Sequence, residues 1–128
     1  MSRKAVVAAG APAAIGPYSQ AIEIDGFVFC SGQLGLDPGT GQLLEGVEEQ
    51  TERALLNLEA VLGAAGLTMA DVVKTSIFLA DLSHFALVNA VYARHVVDPA
   101  PARSTVQVAA LPRAALVEVE AIARRSDR

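Results

Sequence analysis

The stretch from Pro101 to Arg124 contains two runs of alternating residues that are rich in valine and other strand-forming side chains. A short turn-like region, from Ala110 to Ala115, separates the two runs, and this arrangement is typical of a β-hairpin. Successive residues of a strand point to opposite faces, so counting by twos assigns each side chain to a face. The assignment predicts an apolar core face formed by Ser104, Val106, Val108, Val117, Val119, Ala121 and Ala123.

The opposite face of the predicted hairpin is more polar. It carries Arg103, Thr105 and Gln107 on the first strand and Glu118, Glu120 and Ile122 on the second. The register follows if Ala109 pairs with Leu116, and a slip of one residue would undo it. In this register Thr105 lies across from Glu120, with Arg103 one diagonal away. A cross-strand ion pair on a solvated face would explain the pattern without any function.

The other elements give the fold class. Asp25-Gly26 predicts a tight hairpin turn, and apolar residues spaced by three and four predict a helix from Val47 that ends at Gly66. A second helix is expected from Asp81 or Ser83 to about Val96. The order βββ-α-β-α-ββ indicates an α+β fold with a mixed sheet and two helices on one face, because a crossover through a helix joins parallel strands. The first four strands are expected at residues 4–9, 21–24, 27–32 and 72–79.

Length and composition narrow the possible partners. With 128 residues the chain is expected to form a single domain over residues 1–128, large enough for a real core. Its 14 acidic against 10 basic residues, a net charge of −4, argue against a nucleic-acid partner. The apolar share of 52% and the mean hydropathy of +0.39 are high for a small monomer, so we expect an oligomer.

The single cysteine and the N-terminal segment bear on location. Cys30 is the only cysteine, so no disulfide can form within the chain, and a reducing compartment such as the cytoplasm is expected. Residues 5–22 carry no charge, but Gly10, Pro12, Gly16 and Pro17 interrupt them, so no membrane span is predicted there. Cys30 itself is interpreted as a small buried hydrophobic residue within a strand.

Four motifs occur in order along the chain: AAIGPYSQA at 13–21, SGQ at 31–33, VVKTSIFLADLSHFALVNAVY at 72–92, and PARSTVQVAALPRAALVEVEAIA at 101–123. Together they resemble the RidA/YjgF family of enamine/imine deaminases, which is also labelled endoribonuclease L-PSP or translation initiation inhibitor. The resemblance covers nearly the whole chain. It implies the chorismate-mutase-like fold of this family and a homotrimer whose three sheets form a central barrel.

A trimer would also explain the apolar residues on the second face of the predicted hairpin. The predicted hairpin commits one face to the helices, yet its other face still carries Leu116 and Ile122. A trimer would bury this second face. It would also place Arg103 and Glu120 in a cleft between subunits.

The resemblance also implies a reaction and two catalytic residues. Arg103 matches the arginine that grips the α-carboxylate of a 2-imino or 2-enamino acid such as 2-aminoacrylate, and a planar guanidinium suits that bidentate contact. Glu120 matches the acidic residue that positions or activates the attacking water; a salt bridge that merely steers Arg103 is the alternative. Hydrolysis of this kind needs neither metal nor redox cofactor, and the sequence shows no metal-ligand spacing.

Further residues match the lining of the family's substrate pocket. Tyr18, Ser31, Gly32 and Thr105 are therefore expected to bind substrate, although each of the first three has an equally simple structural role. Thr105 stands where close members often carry cysteine, and Gln107 stands where glutamate is common. Both departures bear on the preferred substrate more than on the reaction class.

Two histidines are interpreted as structural, whereas the role of Asn89 stays open. His84 and His95 share a helical face but lie roughly 16 Å apart at ~1.5 Å per residue, too far for one metal ion or one proton relay. Both are expected to be surface or packing residues. Asn89 lies in a matched segment, but a helix-to-loop hydrogen bond explains it as well.

The expected function is a 2-iminobutanoate/2-iminopropanoate-type deaminase that releases a 2-oxo acid and ammonia. The first alternative, an endoribonuclease or translation inhibitor, is disfavoured by the acidic charge and by the lack of a basic stripe or paired-histidine site. The second, a non-catalytic trimer that binds small carboxylates, stays open, because a carboxylate clamp is a binding device before it is a catalytic one.

Overall fold

A six-stranded mixed sheet with two α-helices forms the molecule, in a computed structural model that describes residues 2–126. The α+β class with a mixed sheet and two helices is thereby confirmed. Spatially the strands lie in the order β1-β2-β3-β6-β4-β5. The elements are β1 (Lys4–Val6), β2 (Ala21–Ile24), β3 (Phe27–Leu34), α1 (Val47–Ala64), β4 (Val72–Leu79), α2 (Phe85–Ala93), β5 (Ala102–Gln107) and β6 (Val117–Arg124).

The turn between β2 and β3 is the two-residue hairpin that the sequence predicts. Asp25 and Gly26 both adopt positive φ angles, 53° and 81°, and Ile24 pairs directly with Phe27. Positive φ at both central residues is the requirement of a type I′ turn, whose twist matches that of the flanking strands. The turn therefore sets the register of β2 on β3.

Helix α1 covers the centre of one sheet face. Leu55, Leu58 and Leu62 are completely buried there, as their spacing predicts. Gly66, at φ 77°, ends the helix, and the Leu67 N–H donates to the Leu62 carbonyl at 2.9 Å in a glycine-terminated cap. Within the described part of the chain, no helix is both long and apolar enough to cross a membrane.

Helix α2 connects β4 to β5, and these two strands are parallel, as the crossover predicts. Asp81 accepts a hydrogen bond from the Ser83 N–H at 2.9 Å and so caps a short 3-10 turn, Leu82–His84, that leads into α2. The helix ends at Ala93, three residues before the predicted end at Val96.

The predicted terminal hairpin is wrong. β4 lies between β5 and β6, parallel to the first and antiparallel to the second. Thr105 pairs with Ile77 of β4, and Glu120 pairs with Ser76 of β4, so the two are not cross-strand neighbours. The same sequence pattern, two alternating runs with a turn between them, also occurs when the two strands lie on either side of a third strand.

The predicted faces are right for β6 and inverted for β5. Val117, Val119, Ala121 and Ala123 are buried under the helices, as expected. On β5, however, the residues that share this helix-covered face are Arg103, Thr105 and Gln107, because directly paired residues point the same way and Arg103 pairs with the buried Thr75. Val106 lies on the open face with 46% of its surface exposed.

Candidate active site

Arg103 is held by three side chains of α2. Its Nη1 donates to Asn89 Oδ1 at 2.7 Å, and its guanidinium carbon lies 5.0 Å from the ring centre of Tyr92 and 5.6 Å from that of Phe85. Phe85, Asn89 and Tyr92 are spaced by four and three residues and therefore share one face of the helix. The arginine is half-buried against that face. Asn89, whose role the sequence leaves open, is thus a direct partner of Arg103.

The electrostatic setting of Arg103 suits an anion. Among residues 2–126 the structure gives Arg103 no carboxylate partner, and its polar contact is with the neutral amide of Asn89. A guanidinium has five N–H donors in a planar fork, so the contact with one amide leaves donors for a carboxylate. Two aromatic faces favour the cation without neutralising it. The arrangement can therefore bind a small carboxylate.

Two further residues of β5 complete this side of the site. Thr105 lies two residues from Arg103 on the same face, and its Oγ1 is buried without a hydrogen-bond partner among the residues that the structure describes. Gln107 accepts a hydrogen bond from the Leu82 N–H at 2.7 Å. Gln107 thus fastens the turn before α2 to β5, which gives this departure from the family pattern a structural role.

Ser31 lies at a bulge in β3 and is hydrogen-bonded to the loop that carries Tyr18. The Ser31 hydroxyl donates to the Ser19 carbonyl at 2.6 Å, and the Ser31 N–H donates to the Gln20 carbonyl at 3.0 Å. The pairing register of β3 with β6 shifts at this point, which is how a bulge re-aims side chains. Tyr18, immediately before Ser19, is 53% exposed. The loop that carries Tyr18 is therefore anchored beside Ser31.

Gly32 is covered by a carboxylate. A Cβ atom at Gly32 would lie 2.5 Å from Glu118 Oε2, so only glycine allows this close approach. Glu118 is half-buried, and its burial, with a smaller effect of the nearby Glu120 charge, raises the pKa of its carboxyl group. Glu120 is exposed on the same open face and lines a cavity of about 190 Å³ with Lys74 and Ser76. Lys74 is a neighbour of Glu120 that the sequence analysis did not single out.

The predicted site residues thus form two groups. Ser31, Gly32 and Glu120 belong to the β3–β6 side, whereas Arg103 and Thr105 belong to the helix-covered face of β5. β4 separates Arg103 from Glu120 by two strand spacings, about 10 Å, and the two side chains leave the sheet on opposite faces. The expectation that they are diagonal neighbours within one chain is wrong.

A charged cluster elsewhere in the molecule was missed by sequence reasoning. His95 Nδ1 lies 2.6 Å from Glu59 Oε2 and His95 Nε2 lies 2.7 Å from Glu52 Oε1. Both ring nitrogens face carboxylates, so the cationic form fits best. Burial alone would lower the pKa of His95, but the hydrogen bonds and charges of the two glutamates outweigh it and raise that pKa. His95 is thus a partly buried structural residue, which agrees with the expected surface or packing role. Its contacts join residues 36 and 43 positions apart, and no local pattern in the sequence signals them.

Neither the Cys30 thiol nor a metal-ligand cluster adds a reactive group in the described residues 2–126. Cys30 is buried in β3, as predicted, and burial raises the pKa of its thiol to about 12, which removes the reactive thiolate. Across residues 2–126, no group of three or more His, Cys, Asp or Glu side chains is arranged to hold a metal ion.

Comparison with known proteins decides the family. A family model described as "Endoribonuclease L-PSP" matches residues 8–125. The crystal structure of RidA from a Psychrobacter species is 45% identical, with a TM-score of 0.92, and the match covers 94% of this chain and 98% of that one. The chain belongs to the RidA/YjgF family. The resemblance seen in the four motifs is thereby confirmed.

Two further RidA/YjgF relatives carry informative names. The mouse 2-iminobutanoate/2-iminopropanoate deaminase is 51% identical over 122 residues, which cover 94% of this chain and 90% of that protein. The crystal structure of Escherichia coli TdcF with bound serine is 41% identical, with a TM-score of 0.91, and covers 96% of this chain and 99% of that one.

Proposed function

We propose that this RidA-family chain is a 2-iminobutanoate/2-iminopropanoate-type deaminase that hydrolyses reactive enamines and imines such as 2-aminoacrylate. The observation that carries the proposal is Arg103, a half-buried guanidinium on an aromatic and amide cradle with no carboxylate partner among the described residues. It occurs in a chain half of whose residues are identical to those of a named imine deaminase. The bound serine of the related TdcF structure supports a ligand of amino-acid class.

Arg103 binds the substrate in the proposed reaction, and Glu120 transfers protons. Arg103 holds the α-carboxylate, which fixes the C=N carbon beside a water molecule. Glu120 accepts a proton from that water as its oxygen bonds to the carbon. The C=N double bond becomes single as the water oxygen adds, and the nitrogen takes up the proton that Glu120 has accepted. The proton of the new hydroxyl group then reaches the nitrogen by way of Glu120, the C–N bond breaks, and ammonia leaves as the C=O bond of the 2-oxo acid forms. No redox change occurs, so the proposed reaction needs no redox cofactor, and we propose that the side chains and water carry all proton transfers without a metal ion.

We further propose that a second copy of the chain completes each site, in a homotrimer. Arg103 and Glu120 of one chain leave the sheet on opposite faces. Arg103 of one copy and Glu120 of the next can meet across an interface, lined by Tyr18, Ser31, Gly32 and Thr105. Exposed apolar side chains on the open face, such as Phe29 and Val106, suit such an interface. The single-domain organisation and a cytoplasmic location stay predictions from the sequence.

The first test is a coupled assay. A threonine or serine dehydratase generates the imino acid, and release of ammonia and 2-oxo acid is followed with wild type and with Arg103→Ala. Arg113→Ala serves as the matched control, because Arg113 is an exposed arginine whose side chain contacts a backbone carbonyl, that of Gly41, at 3.0 Å. The proposal expects acceleration by wild type and the control, and none by Arg103→Ala. Full hydrolysis by Arg103→Ala would refute the clamp.

Two further measurements, ligand binding and RNA cleavage, separate the alternatives. Binding of 2-oxobutanoate without any acceleration would favour a non-catalytic carboxylate binder. RNA cleavage by rigorously purified protein, lost in Arg103→Ala, would favour the ribonuclease function.

Mixing variants tests the shared site. Arg103→Ala and Glu120→Ala chains are each expected to be inactive. After unfolding and refolding together at equal amounts, random assembly should restore about one quarter of the wild-type sites if each site takes the arginine and the glutamate from different copies. If both residues come from one chain, the mixture stays inactive, which would contradict the shared site.

A further inference from the structure

Tyr92 lies where α2, β4 and the candidate substrate-binding arginine meet. Its ring faces the Arg103 guanidinium at 5.0 Å, and its hydroxyl shares a hydrogen bond with Thr75 Oγ1 at 2.7 Å. Tyr92 is 5% exposed and Thr75 is completely buried. Thr75 is also the direct partner of Arg103 in the β4–β5 ladder. The hydroxyl of Thr75 therefore holds the Tyr92 ring next to the strand position that pairs with Arg103.

We propose that Tyr92 and Thr75 are positioning residues that fix the orientation of the Arg103 guanidinium for its carboxylate ligand. This inference rests on the proposed function, because it assigns a device to the same carboxylate clamp. Neither residue touches the substrate in this proposal. The ring of Tyr92 supports the flat face of the guanidinium, and the Thr75 hydroxyl stops the ring from turning away.

The geometry distinguishes this device from simple core packing. A long arginine side chain has several rotatable bonds, and a contact with Asn89 alone fixes only one N–H group. The second aromatic neighbour, Phe85, is 41% exposed, and no hydrogen bond anchors its ring. Tyr92 is the aromatic contact of Arg103 that is both buried and anchored by a hydrogen bond. A packed core would accept phenylalanine at this place, because the hydroxyl contributes nothing to apolar burial.

Two conservative substitutions remove the anchor and keep the packing. Tyr92→Phe keeps the ring, and Thr75→Val keeps the shape of the side chain. Thr51→Val is the matched control, because Thr51 is also completely buried and donates a hydrogen bond at 2.7 Å, but to the Val47 carbonyl within α1. All three variants lose a buried hydrogen bond, so a merely structural effect should be similar in all three.

The expected result is selective. Tyr92→Phe and Thr75→Val should each raise KM for the imino acid and Kd for 2-oxobutanoate about three- to tenfold with little change in kcat, as expected for the loss of one hydrogen bond. Thr51→Val should leave both constants unchanged. The two effects should not add, and the effect on Kd for 2-oxobutanoate should vanish in an Arg103→Ala background, in which no turnover is expected. Equal losses in all three variants, or an undiminished effect without Arg103, would overturn the inference.

A ligand-free measurement keeps the inference testable if the deaminase function fails. Nitrogen NMR reports the rotation of the Arg103 guanidinium about its Nε–Cζ bond in the free protein. The anchor predicts faster rotation in Tyr92→Phe and Thr75→Val than in wild type and Thr51→Val. If rotation is the same in all four proteins, the positioning role is refuted, whatever the protein catalyses. If rotation is faster but no imine is hydrolysed, the proposed function fails and the positioning role stands.

Discussion

Replacement of His95 by glutamine should destabilise the protein in a pH-dependent manner. His95 joins two helix α1 carboxylates, Glu52 and Glu59, to the segment that follows α2, and its side chain is only 9% exposed. Each hydrogen bond between charged groups contributes about 1.5–3 kcal/mol when well buried. The two carboxylates are 41% and 36% exposed, so solvent screens both contacts. We expect a net loss of about 2 kcal/mol near pH 6.

The sign of the pH dependence follows from the raised pKa of His95. The folded state binds the imidazole proton more tightly than the unfolded state, whose histidine has a pKa near 6.5. The stabilisation is therefore complete below about pH 6.5 and is lost as the pH rises through the folded-state pKa. The stability difference between wild type and His95→Gln should shrink on going from pH 6 to pH 9.

Urea unfolding at pH 6 and pH 9 measures this difference. Glu48→Gln is the control, because it removes one carboxylate of α1 that is exposed and lies outside the His95 cluster. A cycle of His95→Gln with Glu52→Gln isolates their interaction, which should be favourable at pH 6 and weaker at pH 9. A difference that is constant between the two pH values, or that grows at pH 9, would refute the ionic role of His95.

Further predictions concern the open face and the start of α1. Glu118→Gln should raise the thermal midpoint slightly at pH 7. The raised pKa of Glu118 means that the folded state loses stability as the pH rises through the folded-state pKa of this group. The gain in the free energy of unfolding should be below about 1 kcal/mol, since half of the carboxyl group is solvated, and it should disappear below the unfolded-state pKa. Gly35→Ala should cost about 3 kcal/mol or more in urea unfolding, because its Cβ would lie 2.5 Å from the Gln50 Cα, which cannot yield. Gly32→Ala should cost only about 1 kcal/mol, since the Glu118 side chain can rotate away. An equal cost at both glycines, or a Glu118→Gln effect independent of pH, would contradict these assignments.

Local features of the fold were predictable because their physics is local. The Asp25-Gly26 turn follows from the positive φ angles that a two-residue hairpin requires. Helix α1 follows from a repeat of about 3.6 residues that ends at Gly66. Strand β4 has the predicted bounds, Val72–Leu79. In each case the deciding interactions lie within a few residues of one another.

Strand partners and strand faces were not predictable in the same way. Alternation in β5 indicates two faces but not which one meets the helices. Arg103 and Thr105 lie on the helix-covered face, where α2 offers polar and aromatic partners to Arg103, while Val106 points to the open face. The candidate site was found by resemblance of motifs, and its separation onto two faces required the strand order. The Glu52–His95–Glu59 cluster joins residues 36 and 43 positions apart, which no local pattern reveals.

The position of β6 has a consequence for biosynthesis. β6 is synthesised after the other five strands, yet it lies in the interior of the sheet, between β3 and β4. Until residues 117–124 have left the ribosome, β3 and β4 each present an unpaired edge, and exposed edges invite pairing with other chains. Loss of these residues would remove the junction of the sheet rather than trim its border. The sheet therefore depends on β6, which is synthesised later than the strands on either side of it, to join β1-β2-β3 to β4-β5.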